Sequence, residues 1–156
     1  MPELLNYRYR GARALVLLHE QQMRQCLQVW HKAKAAQVIL PETDDSDYES
    51  LEHLLRHILG AARGYMLWMC KHLQLSDPEI QPPPSLEEIE QAADGYLAHL
   101  LERWRLPLAQ LEAKRFGEEY LSNWGMSYSI DAMLEHAVMH PIRHKFQLEE
   151  LLKAQK

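Results

Sequence analysis

Prolines cut this chain into four long apolar-periodic runs, and that partition constrains the fold more than any other feature. Proline has no amide hydrogen to donate and restricts the residue before it, so a regular helix does not run through Pro41, the Pro78 to Pro84 stretch or Pro107. Between these breaks Ala, Leu, Glu, Gln, Met and Arg dominate, and strand-type alternation is absent. Helices joined by loops are the expected outcome.

The first helix is predicted over residues 6–36, with Leu15, Leu18, Gln22, Cys26, Val29 and Ala33 along its inner face. The second follows a polar loop and Ser50, a residue suited to cap a helix N-terminus, and extends to Leu73 with Leu51, Leu55, Ile58, Ala62, Met66 and Met69 on its apolar face. After an extended proline-rich linker, Ser85 and Glu88 have the spacing of a capping box, so the third helix is predicted to start there. Its seam is Leu86, Ile89, Ala93, Leu97, Leu100 and Trp104. Residues 107–129 read as a partly helical connection with a turn at Asn123-Trp124-Gly125. The last helix is predicted from Ser129 or Ile130 to Ala154, capped by Ser129. The expected fold class is therefore all-α, a four-helix bundle, forming a single domain over residues 1–156.

Composition narrows the function classes. Apolar residues at 47% and charged residues at 25% argue for a packed core rather than disorder. No apolar stretch approaches the roughly 20 residues needed to span a bilayer, and the N-terminal residues lack the features of a signal peptide, so a cytoplasmic protein without a membrane partner is expected. Cys26 and Cys70 sit inside helical patterns and read as free buried thiols. A net charge of −5 with scattered Lys and Arg disfavours nucleic acid. Nucleotide chemistry is disfavoured too, because no glycine-rich phosphate loop is present.

The chemistry-bearing residues are histidines. At 100° per residue, Ile130, Met133, Ala137, His140, His144, Leu148 and Leu151 fall on one stripe of the last helix, so two imidazoles point inward from adjacent turns. That i, i+4 spacing lets both rings chelate one ion. A third ligand is expected from a neighbouring helix. His57, beside Ala61 and Trp68, is the first choice, and Gly60, Ala61 and Gly64 are expected to let another helix approach. His19 is a reserve ligand, His53 lies nearer the polar face, and His136, with Gln147 at the stripe edge, reads as an outer hydrogen-bonding partner. The alternative is a pair of neutral core histidines bonded to carbonyls, one of them freed at Ala137 by Pro141. Asn123 to Tyr128 are placed to form a mouth over the site, while the four tryptophans read mainly as packing residues.

The segment from Asp131 to Gln147, with His140 and His144, resembles the last helix of the DinB/YfiT-like superfamily, whose His-x-x-x-His-Arg-Gly-Gln pattern supplies two metal ligands. Leu54-Leu55-Arg56-His57-Ile58-Leu59 is similar to the family's second-helix segment, whose histidine is the third ligand. Lys145, Phe146 and Pro141 depart from the pattern. The resemblance implies a divalent metal ion (Zn, Ni or Fe) on His57, His140 and His144, and a homodimer. It also implies a metal-dependent enzyme acting on a small-molecule thiol and an electrophile, as a transferase, isomerase or hydrolase. The alternative function is a non-enzymatic helical domain with a structural metal site or a dimerisation role.

Overall fold

The computed structural model describes residues 3, 4 and 6–155. Among them the chain is mostly helical. Helices α1 (Arg10–Ala35), α2 (Leu51–Leu73), α3 (Ile89–Trp104) and α4 (Ile130–Ala154) surround the core, and strands β1 (Glu119–Leu121) and β2 (Ser127–Ser129) form a two-stranded antiparallel sheet before α4. No helix among the described residues is long and apolar enough to cross a membrane. Cys26 and Cys70 are buried and unpaired with each other, as expected.

Helix α1 starts later than predicted because Tyr7 is drawn into the core, where its hydroxyl donates to the Arg105 carbonyl at 2.6 Å. Its core stripe is also displaced. Val16, His19, Met23 and Trp30 are buried along with the expected Cys26 and Ala33, whereas the expected Leu15, Gln22 and Val29 are half-buried and Leu18 is 43% exposed. The displacement is one residue, about 100° of helix rotation. Polarity hid the true stripe. It passes His19, whose ring stacks on Trp104 at 3.8 Å, and Glu20, whose carboxylate takes two donors from the Arg105 guanidinium.

Helices α1 and α2 both end with a residue two or three positions past the helix reaching back over the last turn: Val38 N donates to Ala33 O at 3.0 Å and Leu75 N to Cys70 O at 2.9 Å. Gln37 and Gln74 take the left-handed conformation this closure requires, at φ 56° and 59°. Ser50 caps α2 as predicted, accepting from His53 N at 3.1 Å. All six residues assigned to its apolar face are buried.

The capping box at Ser85 does not form. Residues 86–88 make a turn in which Glu88 N bonds the Ser85 carbonyl rather than its side chain, and α3 begins at Ile89. The seam from Ile89 to Trp104 is buried, and Leu86 is left half-buried.

Residues 107–129 hold a short 3-10 helix at Ala113–Gly117 and then the hairpin, which corrects the expectation of no strands. Three residues per strand are too few for a period of two to show in a sequence. The turn falls where expected, with Gly125 at φ 86°, a backbone conformation that glycine adopts without strain. Ser129 both ends β2 and caps α4, accepting from Ala132 N at 3.0 Å, while Ile130 N donates to Glu118 O at 3.1 Å. The hairpin is thereby fixed to the start of α4.

Three indoles tie the layers together, each donating to a backbone carbonyl of another segment: Trp30 to Leu51 at 2.7 Å, Trp104 to Ala62 at 2.9 Å and Trp68 to Leu121 at 3.0 Å. Buried indoles need such partners. The consequence for function is a fixed α2, with α3 behind it and the hairpin and α4 in front.

Candidate metal centre

The stripe predicted on α4 is the one that packs inward: Ile130, Met133, Ala137, His140, His144 and Leu148 are buried. Pro141 is buried within the same helix, which continues through it, and Phe146 is 61% exposed on the outer side. The third departure from the family pattern, Lys145, is half-buried and donates from Nζ to Gln22 and Gln25 on α1 at 3.3 and 2.9 Å.

Across from them, α2 presents His57. Its Nε2 lies 3.0 Å from His140 Nε2, and His144 Nε2 lies 3.2 Å from the same atom. All three ligand atoms fall within 4.8 Å of one another. His140 and His144 are buried at 5% and 1% exposure, and His57 is partly open.

The outer ring nitrogens are held by oxygen acceptors. His57 Nδ1 is 3.1 Å from the Asp47 carboxylate, and His144 Nδ1 is 2.9 Å from Gln147 Oε1. Asp47 reaches this position because residues 46–48 form a 3-10 turn just ahead of α2, started by Asp45 accepting from Asp47 N at 2.9 Å. Neither acceptor has a proton to give in this orientation, so Nδ1 is the donor on both rings and Nε2 is the atom turned toward His140.

Burial is the main cause that pushes His140 down to about 2, with the neighbouring His144, His57, Arg143 and His136 adding to it. His144 is pushed down to about 4, again chiefly by burial, against an opposing effect of its bond to Gln147. These two rings are therefore uncharged at neutral pH.

This arrangement tests whether a metal fits. His140 Nε2 has one in-plane site, a proton or a lone pair, facing two ring nitrogens at 3.0 and 3.2 Å, so it can satisfy at most one of them, and a cation shared by all three would resolve the crowding. A tetrahedral ion with nitrogen ligands at about 2.0–2.1 Å places those nitrogens about 3.3 Å apart; His140 Nε2 stands 3.0 and 3.2 Å from the other two, which lie within 4.8 Å of each other and would draw together around the ion. The residues fit a divalent ion, and three imidazoles leave at least one coordination position for an exogenous ligand.

His57 and His140 line a cavity of about 730 Å³ whose wall also includes Tyr65, Trp68, Trp124 and Arg143. Gly60, Ala61 and Gly64 line it as well. A side chain added at Gly64 would meet nothing within 4 Å, so these small residues create the cavity rather than admitting another helix. Of the segment from Asn123 to Tyr128, expected to form a mouth, Asn123 and Trp124 line the cavity.

His53 and His136 line the same cavity without joining the three ligand nitrogens, and His19 lies apart from it. His19, expected as a reserve ligand, is enclosed against Trp104 with both ring nitrogens lacking a hydrogen bond among the described residues, and burial pushes it down to about 3. His53 contacts Ser50 and Glu49 at the start of α2. His136 is not the outer partner expected; that role belongs to Gln147. Instead its ring sits among Tyr65, Trp124 and Tyr128 with centroids 5.2 to 5.5 Å away. Asp47 was missed by sequence reasoning, since nothing in a polar loop marks which of its acids turns back onto the next helix.

No family model, no curated protein and no solved structure matches the chain. The site rests on its own geometry.

Proposed function

We propose that the protein is a DinB-like four-helix bundle in which His57, His140 and His144 hold one divalent ion, and that it is an enzyme using a low-molecular-weight thiol for transfer or isomerisation. The observation that carries this reading is the convergence of three imidazole Nε2 atoms beside a cavity of about 730 Å³. The thiol comes from the resemblance of the α2 and α4 histidine segments.

A divalent ion bound there would supply Lewis acidity, lowering the pKa of a thiol or water so that its anion is available at neutral pH. The chain does the rest. Asp47 and Gln147 fix the tautomers and ring orientations of His57 and His144. Burial keeps His140 and His144 unprotonated and so free to bind metal. Tyr65, Trp68 and Trp124 give the cavity apolar walls that exclude water from a bound reactant.

The test is thiol consumption by metal-loaded protein with a panel of thiols and electrophiles. Turnover that requires added metal and vanishes in His140→Ala supports the proposal. Metal-loaded protein inert across the panel contradicts the enzymatic part.

One observation favours a second reading, a non-enzymatic domain that pairs with itself around a structural metal. Met139 and Phe146, 56% and 61% exposed, are seven residues apart and so share a line on the outer face of α4. A metal-dependent dimer without turnover, dissociated by Phe146→Glu, is the result that reading requires.

A further inference from the structure

The cavity beside the histidines carries two arginines, and each stands one residue before a histidine of the centre: Arg56 before His57 on α2 and Arg143 before His144 on α4. Neither has a carboxylate partner among the described residues. Arg56 Nε donates to the Pro84 carbonyl at 3.2 Å, which anchors its guanidinium to the proline-rich linker. Arg143 makes no hydrogen bond or ion pair among the described residues, and it lines the cavity from α4.

The acids on the same wall are already engaged. Asp47 faces His57 Nδ1 at 3.1 Å, and Asp45 accepts from Asp47 N at 2.9 Å. With both acids and both arginines charged they cancel, and an ion of charge +2 on three neutral imidazoles leaves the cavity positive. Tyr65, Trp68 and Trp124 line the same cavity and offer it flat apolar surface. Such a cavity matches a ligand with an acidic group at one end and an apolar body along the aromatic wall.

We propose that Arg143 is a specificity-determining residue that receives the carboxylate of a small anionic substrate, Arg56 reinforcing the same positive end, while a second donor group of that substrate reaches the metal position. A guanidinium presents two parallel N–H donors that match the two oxygens of one carboxylate, which an ammonium cannot reproduce. The inference rests on the metal-centre reading above, and its test separates the two.

The experiment uses cobalt-loaded full-length protein titrated with 3-mercaptopropionate and with the matched neutral thiol 3-mercaptopropanol, followed by the cobalt–thiolate absorption. The carboxylate thiol is expected to bind about tenfold or more tightly than the alcohol, the range of a charged hydrogen-bonded pair. In Arg143→Gln that advantage should disappear while the affinity for the alcohol stays unchanged, and Arg143→Lys should recover part of it. Equal affinity of the two thiols in the wild type, or the same preference in Arg143→Gln, overturns the role of Arg143 and leaves the metal reading intact. If neither thiol changes the cobalt spectrum, the thiol reading fails. The role of Arg143 is then decided by calorimetry on the same protein with 3-phenylpropionate and 3-phenylpropionamide. A preference for the acid lost in Arg143→Gln upholds it, and no preference overturns it.

Discussion

Asp47 lies 3.1 Å from the outer nitrogen of His57, while the inner nitrogen of that ring lies 3.0 Å from His140. One carboxylate in a surface turn thus sets the orientation of a ring that bridges α2 to α4. Outer partners of metal-bound histidines typically contribute about 10–100-fold to metal affinity. Asp47→Asn keeps the shape and removes the charge, so it is expected to weaken zinc binding within that range, read by competition with a chromogenic chelator. Unchanged affinity would mean that Asp47 does not orient His57.

The elements carrying the ligands depend on their caps. Ser50 starts α2 and Ser129 starts α4, each accepting from the backbone amide three residues on, at 3.1 and 3.0 Å. Either serine changed to alanine should cost about 1 kcal/mol of stability in urea unfolding. Ser85→Ala, at the capping box that does not form, should cost much less.

Glu20 and Arg105 form a nearly buried two-point pair between α1 and the residue following α3, at side-chain exposures of 6% and 13%. Removing one partner of such a nearly buried pair costs far more than breaking an exposed one, so Glu20→Ala is expected to destabilise by about 3–5 kcal/mol. The double variant Glu20→Leu, Arg105→Met should recover most of that loss, because hydrophobic replacement of both partners removes the desolvation cost. A double variant no better than the single would show that the pair is a net stabiliser.

His19 gives the pH dependence. Burial holds the folded ring down to about 3, below the unfolded value of about 6.5. The unfolded chain therefore takes up the proton first as pH falls, and stability is lost from about pH 6.5 downward toward the folded value, by up to about 1.4 kcal/mol per pH unit for this one group. His19→Phe keeps a ring against Trp104 and removes two unpartnered nitrogens. It should raise stability at pH 7 by about 1–3 kcal/mol and flatten the acid limb. Urea unfolding from pH 7 to pH 4 checks both effects, and a variant with the wild-type acid slope would contradict them.

Much of this was legible in the sequence, and the misses have physical causes. The breaks at Pro41, Pro82 to Pro84 and Pro107 located the helices, since proline acts through local geometry that tertiary packing seldom overrides. The inward pair His140 and His144 was legible because it interrupts an otherwise apolar stripe at fixed spacing. Position alone left His57, His53 and His19 as possible partners, and the resemblance chose the one the fold brings into reach.

What escaped depends on contacts between distant segments. The core face of α1 was assigned one residue away because Glu20 is tolerable inside only with Arg105 opposite, 85 positions along the chain. The Ser85 cap matched a local pattern, yet the linker turned before the helix began. Asp47 and the cavity formed by Gly60 and Gly64 emerge only once α2, α4 and the hairpin are assembled.

The most direct test of the account is elemental analysis combined with anomalous scattering from crystals of metal-loaded protein. The account predicts one divalent ion per chain, bound by Nε2 of His57, His140 and His144 at about 2.0–2.1 Å, and lost in His140→Ala. A protein that neither copurifies with a metal nor takes one up, or one whose ion sits on other residues, would contradict it.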